Sequence, residues 1–292
     1  VHCKTDERKP ETRKHINFSE VVMKTVIYQY YDGETTSGNE AGRKAMSQYA
    51  KRIGSEYIYE QDPHWRTDLG RYSPHYGTFK PIYTDEFYEF DYLMYADTDV
   101  FPREDLNENI FEEFAATGAD VGICEEWNAP EARKRYTIGG GINNANDEKW
   151  CDIIKEVYGA EMPRTKSGLP KVYNSGMIIW TKEGMQKARD QFLKFASFQA
   201  VVKGAGLPDF YTCDQPYIHA MLEICDFNWV TMDYKWNSSV HYDPGQKGQP
   251  RPIIDLRDED YNFVHIQLNG ADNWDADKLH RITNLPTEEW FS

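Results

Sequence analysis

Apolar and polar positions along this chain change period several times, from strict alternation to a helical repeat and back. Over residues 21–31, Val26, Tyr28 and Tyr30 alternate with Ile27, Gln29 and Tyr31, which predicts a strand closed by the turn pair Asp32-Gly33. Ala41, Ala45, Met46, Tyr49 and Ile53 then recur at helical spacing and predict a helix over 39–53 that Gly54 ends. A short strand over 57–59 follows. Strand, helix and strand in that order are the alternation of a parallel α/β sheet.

The same pattern continues beyond a polar loop over 61–74 rich in His, Arg and Pro. It predicts a helix over 78–87, a strand over 92–96, a helix over 106–115 and a strand over 120–124. After the glycine run Gly139-Gly140-Gly141 come a helix over 147–158, a strand over 172–180 and one long helix over 182–200. Residues 212–222 read as a helix, with Thr212 and Gln215 at capping-box spacing and Pro216 tolerated in the first turn. The last third is rich in strands and loops, with a strand over 261–266. There is no internal repeat and no low-complexity tract.

The strand over 92–96 runs into Asp97-Thr98-Asp99, and Pro102 stops its ladder from continuing. Residues two apart on extended backbone point to one side, so the two carboxylates converge at a strand end, the edge where open α/β sheets bind ligands. Two such groups repel unless a cation lies between them, and hard oxygen donors suit Mg²⁺ or Mn²⁺ carrying a diphosphate. Two further Asp-x-Asp copies, Asp258-Glu259-Asp260 and Asp275-Ala276-Asp277, follow no apolar strand and read as solvated acidic turns.

Composition narrows the partners. The 292 residues carry 33 basic and 48 acidic side chains, a net charge of −15, which argues against nucleic acid or an anionic membrane surface. An anionic ligand would need a local cation, a second reason to expect a metal at Asp97 and Asp99. Five cysteines (Cys3, Cys124, Cys151, Cys213, Cys225) are widely spaced and lack any Cys-x-x-Cys, which reads as reduced core thiols and fits the cytoplasm. No apolar run is long enough to span a membrane. The first 20 residues read as a charged leader or linker, so the chain is expected to be a catalytic piece of something longer, with its domain over 21–292. Sequons at Asn17-Phe18-Ser19 and Asn237-Ser238-Ser239 are expected by chance and assign no compartment.

Four landmarks appear in sequence: Tyr30-Tyr31-Asp32 at the end of the first strand, Asp97-Thr98-Asp99, the stretch Tyr173-Asn174-Ser175-Gly176-Met177-Ile178-Ile179, and Asp214-Gln215 opening a helix. Phe263-Val264-His265 closes the set. This order resembles glycosyltransferases of the GT-A fold, and within them the family 8-type retaining enzymes, over roughly residues 21–270. The resemblance implies a single Rossmann-like α/β domain with a central mixed, mostly parallel sheet flanked by helices. It implies a metal, Mn²⁺ or Mg²⁺, held by Asp97, Asp99 and His265. The donor it implies is a nucleotide-diphosphate sugar, of the UDP-sugar kind, with its nucleotide at Tyr30, Tyr31, Asp32 and Thr98 and a basic contact from Lys80. Asn174, Asp214 and Gln215 would line the donor sugar, and the acceptor would be a carbohydrate or glycoconjugate hydroxyl.

The family's late His is usually followed by a Gly and then Lys-Pro-Trp, whereas this chain reads His265-Ile266-Gln267-Leu268-Asn269-Gly270, and the lysine is missing. On their residues alone, Asn174-Ser175-Gly176 fits a strand bulge as well as a sugar-facing surface, and Gln215 fits half of a helix cap. Lys80 fits a surface lysine, and Trp65 and Trp127 fit core packing as well as sugar stacking. Two other functions stay open. A haloacid-dehalogenase-type phosphatase also ends a strand in two Asp but has Thr or Val two places beyond the second, where this chain has Phe101. A non-catalytic sugar-binding protein on the same fold is the other.

Overall fold

The computed structural model of the chain describes residues 23–72, 74–126, 128–242, 252–268 and 275–291. The expected leader, the sequon at Asn17, Trp127 and the stretch Asn269-Gly270 lie outside them.

A six-stranded sheet forms the centre. It comprises β1 (Thr25–Tyr31), β2 (Glu56–Gln61), β3 (Tyr92–Ala96), β5 (Val121–Glu125), β6 (Tyr173–Thr181) and β7 (Trp229–Met232), in the order β2-β1-β3-β6-β5-β7. The ladders β1–β2, β1–β3 and β5–β7 are parallel, and β6 runs antiparallel to both neighbours. The expected mixed, mostly parallel sheet is therefore present. A second sheet, in the order β4-β10-β8-β9, joins β4 (Val100–Pro102), β8 (Ser238–Tyr242), β9 (Ile253–Asp255) and β10 (Phe263–Gln267).

Alternation sorts the strand side chains onto two faces. Tyr28, Leu93, Tyr95, Ile178 and Trp180 enter one core, and Ile27, Met94, Ala96, Met177 and Ile179 enter the other. Helices α5 (Lys182–Gln191), α6 (Phe195–Gly204) and α7 (Asp214–Ile224) bury Met185, Phe195, Phe198 and Tyr217 in the first. α1 (Ser37–Arg52) and α2 (Ile110–Ala115) cover the second with Met46, Tyr49, Ile110 and Phe114. α8 (Ala276–Asn284) closes a third cluster over the small sheet through Leu279 and Ile282. Between β5 and β6 lie α3 (Ala129–Arg135) and α4 (Asn144–Tyr158), pinned together by a buried pair at 2.9 Å between Arg133 and Asp147.

Several element boundaries differ from the pattern's expectation for physical reasons. Residues 74–83 and 85–89 form 3₁₀ turns instead of one helix, with Pro81 inside removing a donor. The single helix expected over 182–200 breaks between α5 and α6, where Phe192 and Lys194 take extended backbone. The Thr212–Gln215 capping box does not form, since α7 is capped at Cys213 and the Thr212 hydroxyl donates to the Asp209 carbonyl at 2.7 Å. Pro102 does not end the pairing either: β3 stops at Ala96, and 100–102 re-pair as β4 with β10 in the second sheet.

Candidate active site

The passage from β3 to β4 places the acidic pair. The chain leaves the large sheet at Ala96 and enters the small one at Val100, so Asp97-Thr98-Asp99 is the link between sheets. Backbone bonds anchor both ends: Asp97 N–H donates to Gly176 of β6 at 2.8 Å, and Ile266 N–H of β10 donates to the Asp99 carbonyl at 3.0 Å. Gln29, fully buried in β1, donates to the Asp97 carbonyl at 2.8 Å and accepts from the Tyr57 hydroxyl at 2.8 Å. Thr98 is buried and accepts from Asn39 at 3.1 Å, and Asn39 is itself held in the Thr36 capping box that starts α1. A Cβ on Gly42 of α1 would fall 1.8 Å from the Thr98 carbonyl oxygen, so α1 can press against the link only because Gly42 has none.

His265 reaches this link from β10, where it pairs with Val100. One ligand atom from each of Asp97, Asp99 and His265 lies within 4.8 Å of the others. His265 Nε2 is 3.1 Å from Asp99 Oδ1, yet that buried oxygen accepts no well-formed hydrogen bond. Tyr95 donates to Asp97 Oδ1. Burial, then the neighbouring Asp99, pushes the Asp97 carboxyl up to about 7. Burial draws His265 down, but the carboxylates, Asp99 foremost, outweigh it and lift the imidazole to about 9. Two carboxylates, an imidazole and an orphaned buried oxygen are a donor set that fits Mn²⁺ or Mg²⁺.

The triad opens onto a cleft of about 560 Å³. Of the residues singled out from sequence, Tyr30, Tyr31, Asp32, Thr98, Asn174, Asp214 and Gln215 also line it. Tyr30 and Tyr95 stack at 5.7 Å to form its floor, and burial, then Asp97, keeps both phenols protonated well above their usual range. Asp32 accepts from the His64 backbone N–H at 2.9 Å. Gln215, released from the capping role, faces the cleft on the first turn of α7 beside Asp214.

Asn174-Ser175-Gly176 is a bulge that also faces the site. Opposite β5 the register jumps from Cys124↔Asn174 to Ile123↔Ile178. The Asn174 side chain holds the bulge by accepting from Gly176 N–H at 2.8 Å and from Asn237 at 3.0 Å, while its amide donates to Glu126 at 2.5 Å. The Asn237 of the second sequon is thereby buried.

Lys80 does not reach the cleft. Its ammonium sits 2.6 Å from the Glu60 carboxylate of β2, which also accepts from Tyr28 at 2.7 Å. The basic residue expected against the donor is thus tied to the sheet. Trp65 stacks on Tyr83 at 5.7 Å and packs edge-on to Phe195, a core role. Asp258 and Asp260 are exposed, as expected, but Asp275 is the N-cap of α8 and accepts from Lys278 N–H at 2.9 Å. Sequence reasoning missed Gln29, His75 and Glu126. Only Gln29 carried a signal, a polar side chain inside an apolar strand.

No family model matches the sequence, and no curated protein matches it. Solved structures with a similar arrangement include a glycosyltransferase involved in glycosylation of the major capsid of PBCV-1. It is 12% identical, with a TM-score of 0.42 over 83% of this chain and 92% of that one. Mouse xyloside xylosyltransferase 1 in its apo form is 14% identical, with a TM-score of 0.47 over 74% and 87%. The galactosyltransferase LgtC, in complex with donor and acceptor sugar analogues, is 9% identical, with a TM-score of 0.41 over 90% and 98%. At identities and TM-scores this low, none of these likenesses bears on chemistry. No helix among the described residues is long and apolar enough to cross a membrane.

Proposed function

We propose that this chain is a metal-dependent glycosyltransferase of the GT-A type. It moves a sugar from a nucleotide-diphosphate sugar, a UDP-sugar by resemblance, to a hydroxyl of a carbohydrate or glycoconjugate, and its catalytic unit spans residues 21–292. The observation that carries this is the convergence of Asp97 and Asp99, from the link between the sheets, with His265 of β10 within 4.8 Å in the lining of a cleft of about 560 Å³. A phosphatase would need a nucleophilic carboxylate free to attack, whereas Asp97 is engaged by Tyr95 and Asp99 faces His265.

Asp97, Asp99 and His265 would hold Mn²⁺ or Mg²⁺. When bound, the ion would supply Lewis-acid stabilisation of the charge that develops on the departing nucleotide. The chain's own residues do the rest. Tyr30, Tyr31, Asp32 and Thr98 line the nucleotide end, and Asp214 and Gln215 line the sugar end. Asn174 acts through the bulge it braces, which sets Gly176 beside the metal ligands. Gln215 has no proton-accepting power at neutral pH and orients the sugar. In the retaining course, the bond from the anomeric carbon to the phosphate oxygen breaks as the acceptor oxygen bonds on the same face. The acceptor proton passes to the departing phosphate oxygen.

A panel of nucleotide sugars tested for thermal stabilisation with and without Mn²⁺, followed by transfer assays with those that bind, tests this reading. Mn²⁺-dependent stabilisation by at least one donor, and its hydrolysis or transfer, is expected. Stabilisation without any turnover would favour the non-catalytic alternative, and no response to any donor would overturn the assignment.

A further inference from the structure

The glycine run over 139–141 lines no part of the cleft, yet it shapes a second cavity beside it. Gly140 and Gly141 take φ of 79° and 81°, which reverses the chain so that Ile138 N–H donates to the Ile142 carbonyl at 2.8 Å in an isolated antiparallel pair. Residues paired in this way project their side chains to one face, so the two isoleucines stand side by side. The turn is held from outside: a Cβ on Gly141 would meet Pro208 Cγ at 2.8 Å, and the Asn146 amide donates to the Gly141 carbonyl at 2.7 Å. Both isoleucines are half-buried, and among the described residues neither joins any of the three hydrophobic clusters. Instead they line a cavity of about 330 Å³ together with Ala129 and Ala132 of α3.

This cavity opens beside the proposed sugar site. Phe210, Gln215 and Gln267 line it and the cleft alike, and Glu126 at its edge accepts from Asn174, which lines the cleft. None of Ala129, Ala132, Ile138 and Ile142 lines the cleft. The cavity therefore meets the cleft at polar side chains and carries an apolar wall of its own. We propose that it seats the acceptor, and that the acceptor is a glycoside with an apolar aglycone, an inference that rests on the glycosyltransferase reading. The accepting sugar lies at Gln215, Gln267 and Glu126, where two amides and a carboxylate match its hydroxyls, and the aglycone covers Ile138 and Ile142. A sugar alone would leave the isoleucine pair facing water, whereas an aliphatic or aromatic group takes it out of water, with a gain that grows with the apolar area covered.

The test uses the full chain and a nucleotide sugar that it hydrolyses or transfers in Mn²⁺. Methyl, hexyl and phenyl glycosides of glucose, galactose, mannose and xylose are compared as acceptors by initial rates. The hexyl or phenyl glycoside of at least one sugar should show a KM about tenfold or more below that of its methyl counterpart. Ile138→Ser and Ile142→Ser should each raise that KM about fivefold or more, bring it toward the methyl value, and hold the donor KM within about twofold. A melting curve checks that each variant folds, and the comparison of acceptors on the wild type needs no variant at all. Equal KM for methyl and apolar glycosides, or donor hydrolysis with no transfer to any of them, would overturn this inference and leave the glycosyltransferase reading standing. An acceptor KM that neither folded variant moves, or a donor KM that rises with it, would also overturn it. If no nucleotide sugar is turned over, the underlying reading fails, and this inference with it.

Discussion

Gly176 leaves room for His265: a Cβ built on Gly176 would stand 2.5 Å from His265 Cε1 and 3.0 Å from Asp97 Oδ2. The bulge in β6 therefore brings a residue without a side chain against two of the proposed metal ligands. Gly176→Ala should displace the imidazole and cut metal-dependent turnover by about 100-fold or more, the usual cost of misplacing a reacting group by an ångström. Circular dichroism and a melting curve would check that the fold persists. Turnover within a few-fold of wild type would show that the ligands tolerate the shift.

Asp97→Ala and Asp99→Ala should each abolish Mn²⁺-dependent turnover and the stabilisation that Mn²⁺ gives, with the fold retained. Full turnover in both variants would remove the site assignment. The other acidic pairs serve as controls of different kinds. Asp258→Ala, at an exposed turn, should change stability by no more than about 0.5 kcal/mol. Asp275→Ala removes a helix cap and should cost about 1 kcal/mol in urea unfolding, although sequence pattern placed it among the solvated turns.

His265→Ala should raise the Mn²⁺ concentration needed for half-maximal donor hydrolysis by about tenfold or more. The residue is buried at the end of β10, so a loss of stability will accompany the change. Titration of Mn²⁺ separates the two effects, because destabilisation alone lowers the folded fraction without moving half-saturation.

His219 provides a pH prediction outside the metal site. It is buried in α7 with Nε2 unpartnered, and burial, followed by the charges of Arg133 and Lys171, lowers its pKa to about 3. An unfolded histidine titrates near ~6.5, so below that pH the unfolded chain takes up a proton that the folded chain refuses. Stability is full above ~6.5 and falls as the pH drops toward 3. Between pH 7 and pH 5 the wild type should lose about 2 kcal/mol more than His219→Gln in urea unfolding, and equal losses would contradict the buried neutral state.

The first-formed product should have the anomeric configuration of the donor, as read by NMR. Inversion would demand a carboxylate base, and Glu126, at the edge of an adjoining cavity and bonded to Asn174, would then be the first residue to test. Glu126→Gln with unaltered turnover would then exclude it.

Strands β1, β2, β3, β5 and β6 and the acidic link were legible because each depends on local pattern: an apolar run, then polarity, then a change of period. His265 was legible only through resemblance, since nothing near it in sequence shows that β10 pairs with β4. Lys80 misled because its partner Glu60 lies on another strand, and two oppositely charged residues far apart carry no mark of their pairing. The Thr212–Gln215 motif misled for the opposite reason. Its spacing is right, but α7 starts one residue later than that box requires, with Cys213 as its N-cap, and the Thr212 hydroxyl donates to the Asp209 carbonyl. His75 and Glu126 had no readable signature, because a polar residue beside a turn looks the same whether it faces solvent or a cleft.

The three proposed metal ligands come from the first half of the chain and from β10, and the link carrying Asp97 and Asp99 joins two sheets of which the smaller is completed by β8, β9 and β10. During synthesis, the first part of the chain to leave the ribosome holds the acidic pair but neither His265 nor the strand that fixes Asp99. If these residues hold an ion as proposed, loading waits until β10 has emerged, and a chain truncated before that point carries the acidic link without His265.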